Sequence, residues 1–306
     1  MTASAALVVS GSAAANATLG PALGAWMLQR VHGPLSVHVS QAAGEGPALA
    51  REALERGVRR IVAVGGDGTV QEVASVVAGV EGASMGIVPM WTGNDFARQL
   101  GLVDLSFDDA LAVALGDRVR RLDLPKLDDR LFVNLASLGP IARVAPSAPK
   151  ALKAVIGAAA YVVSALEQLV DLKPFRVRLR GPEFELEGPL LALFVGNGGA
   201  AGGGRRIIPD TEMDDGLLDV LAVRYPEGPD IVGVIGKAIL QQVHEDRHAW
   251  TVRTPWIELE VPEGEEPIPV SLDGEPVDIT RGRFSCEPST IDVAVPAEPA
   301  DAPSPG

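Results

Sequence analysis

Gly65-Gly66-Asp67-Gly68-Thr69 places three glycines, a carboxylate and a hydroxyl directly behind the apolar run Ile61-Val62-Ala63-Val64. Glycines let a phosphate approach backbone N–H groups, and a helix starting there adds positive partial charge, so this segment has the chemistry to hold a phosphate. The dinucleotide pattern GxGxxG does not fit, because Gln71 falls at the third glycine position. A second loop, Pro89-Met90-Trp91-Thr92-Gly93-Asn94-Asp95-Phe96-Ala97-Arg98, repeats the logic. Asn94 or Asp95 can cap a helix, and together with Thr92 they offer oxygens to a phosphate or a metal. Asp123 is a carboxylate in an apolar strand, to be paired, exposed or turned to a cation. Val195-Gly196-Asn197-Gly198 opens a glycine-rich loop that leads to the carboxylates Asp210, Glu212, Asp214, Asp215 and Asp219. These are hard oxygen ligands suited to Mg²⁺ or Ca²⁺, though a solvated acidic turn has the same composition. Asp273-Gly274-Glu275 sets two carboxylates around a turn that a plain Asp-Gly hairpin also explains.

These residues need elements to place them. Ile61 to Val64 reads as a strand covered on both faces. Val70, Val73, Ala74 and Val77 follow at i, i+3, i+4 and i+7, one face of a helix, and the Thr69–Glu72 capping-box spacing predicts Thr69 as its N-cap. Ala5 to Val9, Ser36 to Ser40 and Met85 to Val88 read as strands; Leu19 to Val31, Pro47 to Arg56, Asn94 to Leu100 and Asp108 to Leu115 read as helices. The alternation implies a parallel sheet whose strand carboxyl ends, where both loops lie, receive ligands. Near Arg120 the pattern changes. Residues 121–127, 131–135, 176–179, 184–187, 190–195, 217–223, 256–261 and 269–272 read as strands separated by Gly, Pro and Asp, as in an antiparallel sandwich or barrel. One helix interrupts them, with an apolar face from Leu152 to Val170 that packs on the sheet or, alternatively, faces lipid as a lid. The expected architecture is an α/β domain with a Rossmann-like parallel sheet over 1–122 and a β-rich antiparallel sandwich domain over 123–295. A Pro/Ala/Asp-rich tail over 296–306 is expected to be disordered.

Composition narrows the function classes. A net charge of −14 argues against nonspecific nucleic-acid binding and against a basic membrane-docking face. The single cysteine, Cys286, excludes an intramolecular disulfide framework and a Cys-based zinc cluster. Ala13 to Ala17 has a trace of a signal-peptidase site, but no Lys or Arg precedes it and its apolar run is short. No stretch approaches the ~20 apolar residues of a spanning helix. The expected location is cytoplasmic.

Taken in order, Gly65 to Thr69, Thr92 to Arg98, Asp214-Asp215-Gly216-Leu217-Leu218-Asp219 and Asp273-Gly274-Glu275 resemble the diacylglycerol kinase catalytic-domain family, which includes sphingosine kinases and soluble bacterial lipid kinases. The resemblance runs from about Leu7 to about Val277. It implies an NAD kinase/diacylglycerol kinase-like fold, with ATP and substrate held between an ATP-binding α/β domain and a β-rich lipid-substrate domain. It further implies that Ser40, Gly66, Asp67, Gly68, Thr69, Val70, Gln71, Glu72 and Thr92 contact ATP. Asp67, Asp95 and Asp123 would surround the catalytic Mg²⁺, and Glu212, Asp215 and Leu217 would form a structural Mg²⁺ site. Glu275 would be the general base, with Asp273 beside it. The reaction so implied is phosphorylation of a hydroxyl of diacylglycerol or a related lipid, met transiently at the inner face of a membrane; a homodimer is compatible with this.

The sequence departs from the family at three places. Ser10-Gly11-Ser12-Ala13-Ala14 stands where members carry Asn-Pro-x-Ser-Gly, Gln71 replaces an asparagine, and Trp91 replaces a glycine. Two other readings follow: a catalytically silent relative that binds lipid or nucleotide, motivated by Trp91 and the altered first loop, and an NAD kinase, which shares the Gly-Gly-Asp-Gly loop.

Overall fold

The computed structural model describes residues 4–29, 34–90, 93–143, 173–201, 203–226, 230–239 and 242–297. Trp91, Thr92 and the apolar helix expected over Leu152 to Val170 lie outside the described residues, as do 298–306 of the expected tail. The chain forms two compact units, Met1–Asp123 with Ser289–Gly306, and Leu124–Pro288.

The first unit opens β1 (Ala5–Val9), α1 (Gly11–Ala14), α2 (Leu19–Gln29), β2 (Leu35–Val39), α3 (Gly46–Glu55), β3 (Arg60–Gly65), α4 (Asp67–Val77), β4 (Ser84–Pro89), α5 (Asp95–Gln99) and α6 (Phe107–Leu115). β1 pairs in parallel with β2 and β3, and β3 with β4, so the four strands point their carboxyl ends the same way. Every residue of β1 is buried, which is why the strand is uniformly apolar: both faces of a parallel sheet are covered. On one face Leu7, Val9, Val62, Val64 and Val88 pack with Ala110, Leu111 and Ala114 of α6. α3 and α4 pack on each other and on β3 and β1.

The second unit is antiparallel. It takes in the end of β5 (Val119–Leu127) from Leu124 on, then β6 (Arg130–Leu131), β7 (Leu135–Leu138), β8 (Phe175–Arg180), β9 (Glu185–Gly196), β10 (Ala200–Ala201), β11 (Arg205–Arg206) and β12 (Leu218–Arg224). Helix α7 (Asp230–Ile239) precedes β13 (Ala249–Thr254), β14 (Trp256–Glu260), β15 (Ile268–Leu272), β16 (Glu275–Ile279) and β17 (Arg281–Ala294). The long β9 pairs with β7, β8 and β12, joining the unit together. Burial alternates along β8, with Phe175, Val177 and Leu179 inside and the three arginines outside, the mark of a sheet with one solvated face. The expected strand over 131–135 is instead two pieces, β6 and β7, because the segment between them is held by a side chain described below. Sequence periodicity also missed β13, β16 and β17.

The last residues of β17 belong with the first unit, whereas the sequence grouped 289–295 with the β-rich domain. Val293 pairs in parallel with Met85 of β4, the Gly79 N–H donates to the Thr290 carbonyl at 2.9 Å, and Arg121 forks onto Asp292 at 2.7 and 2.9 Å. No helix among the described residues is long and apolar enough to cross a membrane.

Candidate active site

The parallel strands of the first unit deliver Ser10, Ser40 and Gly65 to one edge of the sheet. The Ser10 N–H donates to the Val64 carbonyl at 3.0 Å, and the Ser40 N–H to the Val9 carbonyl at 2.9 Å, so the three strand ends are hydrogen-bonded together. The Ser40 hydroxyl accepts the Gly11 N–H at 3.3 Å, and the Ser10 hydroxyl caps α1 through the Ala13 N–H at 3.1 Å. The altered first loop, Ser10 to Ala14, therefore still makes a capped turn at this edge. Gly65 is required there: a Cβ would stand 2.4 Å from Thr69 Oγ1 and 3.0 Å from Ser10 Oγ.

Behind this edge α4 begins with Gly66 as its N-cap, without a side-chain cap bond. Gly68, in the first turn of this 11-residue helix, is exposed, and a Cβ there would meet nothing within 4 Å. Exposed N–H groups and the helix dipole at a strand end suit a phosphate. Thr69 is not the N-cap the capping-box spacing predicted. The helix starts three residues earlier, and Glu72 reaches away to accept the N–H groups of Gly44 at 2.8 Å and Gly46 at 3.1 Å, at the start of α3. Val70 is 1% exposed and Gln71 is buried, so both side chains belong to the protein interior and can offer a ligand only their backbone.

Asp67 ties the two loops together. Its Oδ2 accepts the Asn94 N–H at 2.8 Å, and the Asp95 and Phe96 N–H groups also bond the carboxylate, so Asp67 serves as the cap that α5 lacks from its own N-cap residue. Asn94 reaches this arrangement in the left-handed region, at φ +55°, a conformation Asn tolerates better than most residues. Gly93 gives the carboxylate room, because a Cβ would lie 3.0 Å from Asp67 Oδ2. Burial raises the Asp67 pKa above the ordinary value, the neighbouring Asp95 raises it further, and the three N–H groups oppose both.

Two carboxylates held close at the cost of mutual repulsion are a fit for a divalent cation. Mg²⁺ is characteristically held by one or two carboxylates, with water and substrate phosphates completing its shell. Asp123, the third residue of the expected network, is 1% exposed between the fully buried Leu122 and Leu124. Among the described residues no group of three Asp, Glu, His or Cys side chains is placed to hold a metal ion.

In the second unit Asp273 and Gly274 both have positive φ, 49° and 100°, and Leu272 pairs with Glu275, giving the two-residue hairpin that Asp-Gly predicts. The Asp273 carboxylate accepts the N–H groups of Val133 at 2.6 Å, Asn134 at 3.1 Å and Leu135 at 3.0 Å. It is the side chain that shapes the segment between β6 and β7, at the turn that leads to Glu275. Glu275 itself is exposed at the start of β16.

The glycine-rich loop is fastened to the acidic one. Asn197, fully buried, donates its side-chain amide to the Met213 carbonyl at 3.1 Å, and the Ile207 N–H donates to the Gly199 carbonyl at 2.7 Å. Glu212 and Asp215 do not surround a vacant cation position. Arg253 of β13 stands among them, 3.4 Å from Glu212 and 3.7 Å from Asp215, and its Nε donates to Asp219 at 2.9 Å. Asp215 Oδ1 also accepts the Leu217 N–H at 2.9 Å. These residues do not fit the structural Mg²⁺ expected at Glu212, Asp215 and Leu217. Sequence reasoning missed Arg253, since it lies 34 residues from Asp219 and only the β12–β13 register sets the two opposite each other.

Residues 8–127 match the family described as diacylglycerol kinase catalytic domain, and 135–295 match the YegS C-terminal NAD kinase beta sandwich-like domain. A protein of Pseudomonas aeruginosa named "Probable lipid kinase YegS-like" is 38% identical over 294 residues, covering 95% of this chain and 94% of that protein. One of the same name from Stenotrophomonas maltophilia is 34% identical over 302 residues, covering 95% and 96%. The crystal structure of a diacylglycerol kinase from Bacillus anthracis matches the fold with a TM-score of 0.72 at 21% identity, covering 97% of this chain and 98% of that one.

Proposed function

Because the chain belongs to the diacylglycerol kinase catalytic-domain family, we propose that it acts as a lipid kinase, transferring the γ-phosphoryl group of ATP to a hydroxyl of diacylglycerol or a related lipid presented at a bilayer surface. The observation that carries this reading is the edge formed by Ser10, Ser40 and Gly65 to Thr69 beside the Asp67–Asp95 pair. It joins an open helix N-terminus, which suits phosphates, to two carboxylates that suit the cation accompanying them.

In this reading the α4 N–H groups and the Ser10, Ser12 and Ser40 hydroxyls bind the phosphate chain. Asp67 and Asp95 would hold Mg²⁺, which supplies charge neutralisation on the phosphates. Glu275 accepts the proton of the lipid hydroxyl as its oxygen bonds to the γ-phosphorus and the bond to the β–γ bridging oxygen breaks, releasing ADP. Phosphoryl transfer asks the protein mainly for positioning and electrostatics, so few groups suffice.

The test is phosphate transfer from labelled ATP to diacylglycerol in mixed micelles, with NAD as an alternative acceptor. Incorporation into lipid that disappears in Glu275→Gln, with melting unchanged, supports the assignment. Full turnover in that variant removes Glu275 from the mechanism, transfer to NAD alone replaces the lipid by a dinucleotide, and absence of ATP binding at millimolar nucleotide overturns the kinase reading.

A further inference from the structure

We infer that the guanidinium of Arg253 is the permanent cation of the 210–219 loop, so that this loop is built without the divalent metal its carboxylates invite. Arg253 plays this part in holding the second unit together whether or not the protein is a kinase.

Four residues, three in the loop and Asp219 at the start of β12, direct oxygens at this one side chain. Nε faces Asp219 Oδ1 at 2.9 Å, Nη1 faces Glu212 Oε1 at 3.4 Å and Asp215 Oδ2 at 3.7 Å, and Nη2 donates to the Asp210 carbonyl. A guanidinium is planar, always charged and carries its donors in a fixed fork, so it can bridge several oxygens as a small metal does. Asp219 and Arg253 are direct cross-strand partners on β12 and β13, so the cation is delivered by sheet register and not by the loop's own conformation. Asp219 is 4% exposed and its Oδ2 has no hydrogen-bond partner. A buried carboxylate of that kind is strongly destabilising without its countercharge, and Arg253 supplies it. A divalent ion entering the same cluster would be repelled by a charge already only a few ångströms away.

The consequence reaches beyond the loop. Met213 lies within it and accepts the Asn197 amide, which holds the glycine-rich segment after β9. Arg253 therefore fixes both loops at once, and their order does not vary with free Mg²⁺ or Ca²⁺.

The experiment is thermal melting of the nucleotide-free full chain in EDTA, in millimolar MgCl₂ and in millimolar CaCl₂, with calorimetric titration of each metal. Wild type is expected to melt alike in EDTA and in either metal as far as this loop is concerned, so Glu212→Gln leaves its metal response unchanged. Arg253→Met is expected to melt several degrees lower in EDTA and to recover part of that loss in millimolar Mg²⁺ or Ca²⁺, with the recovery abolished by adding Glu212→Gln. Arg253→Lys keeps the charge and is expected to stay metal-insensitive, which serves the test should Arg253→Met not fold. A wild-type metal-binding signal lost in Glu212→Gln overturns the inference, as does an Arg253→Met protein that melts like wild type in EDTA.

Discussion

The carboxylate of Asp67, in the first turn of α4, accepts the backbone N–H of Asn94 at 2.8 Å and thereby caps a different helix from its own. One residue of the glycine loop thus fixes where the next strand–helix loop begins, and it stands beside Asp95, the other carboxylate proposed to face Mg²⁺.

Burial and Asp95 raise the Asp67 pKa, so the fold favours the neutral form and ionisation at neutral pH costs stability. Asp67→Asn keeps an oxygen for the α5 N–H groups and is expected to melt at or above the wild-type temperature while losing Mg-dependent ATP binding. Asp67→Ala also forfeits the cap and should cost about 1–2 kcal/mol. Melting paired with ATP calorimetry, with and without Mg²⁺, reads both effects. An Asn variant that binds Mg-ATP as wild type does would leave Asp67 as a cap alone.

Gly65→Ala tests how tightly the strand ends meet. The new methyl would overlap Thr69 at 2.4 and 2.8 Å, an overpacking expected to cost about 1–3 kcal/mol. The same movement of Thr69 displaces the α4 N-terminus, so ATP affinity should fall with it. Urea unfolding gives the first number and nucleotide titration the second; unchanged stability would mean the loop yields freely.

Asp273 and Glu275 are expected to separate cleanly. Asp273→Ala strands three backbone N–H groups and should cost about 2–3 kcal/mol in chemical denaturation, with activity lost through the fold. Glu275→Gln alters an exposed residue, so its melting should not move while kcat drops by about 10²–10⁴-fold. A destabilised Glu275→Gln would contradict the division of labour.

Asp246 gives a pH signature in the second unit. Burial works against its charge, but the His248 N–H at 2.9 Å, the Lys237 ammonium at 2.9 Å and the His248 ring at 2.7 Å prevail and lower the pKa to about 2. A folded-state pKa below the unfolded value of about 4 stabilises above pH 4, and the contribution is lost as pH falls through 4 towards 2. Asp246→Asn should therefore be less stable near neutrality by about 1 kcal/mol, after allowance for solvent screening, and the gap should close towards about pH 2. Denaturation curves of both proteins across that range check it; a gap independent of pH would assign the loss to packing.

Local chemistry made a large part of this protein legible in its sequence. Both-face-buried strands must be apolar throughout, so β1, β3 and β4 stood out, and the glycine loop between β3 and α4 marked the strand end where phosphate chemistry belongs. The Asp-Gly hairpin before Glu275 was equally readable, because positive φ at two successive residues selects those types. What the sequence could not reveal is which partner each polar side chain chooses. Glu72 has capping-box spacing to Thr69 yet bonds Gly44 and Gly46, 28 and 26 residues away. Asp273, which the family resemblance sets beside the general base, accepts the backbone N–H groups of 133–135, a partnership no local spacing announces. The acidic loop looked like a metal site until β12–β13 register set Arg253 against Asp219. Residue types and short spacings determine elements and turns, since those energies are local. Charge partners are decided by strand register and packing, and only the tertiary structure brings such distant groups to hydrogen-bonding distance.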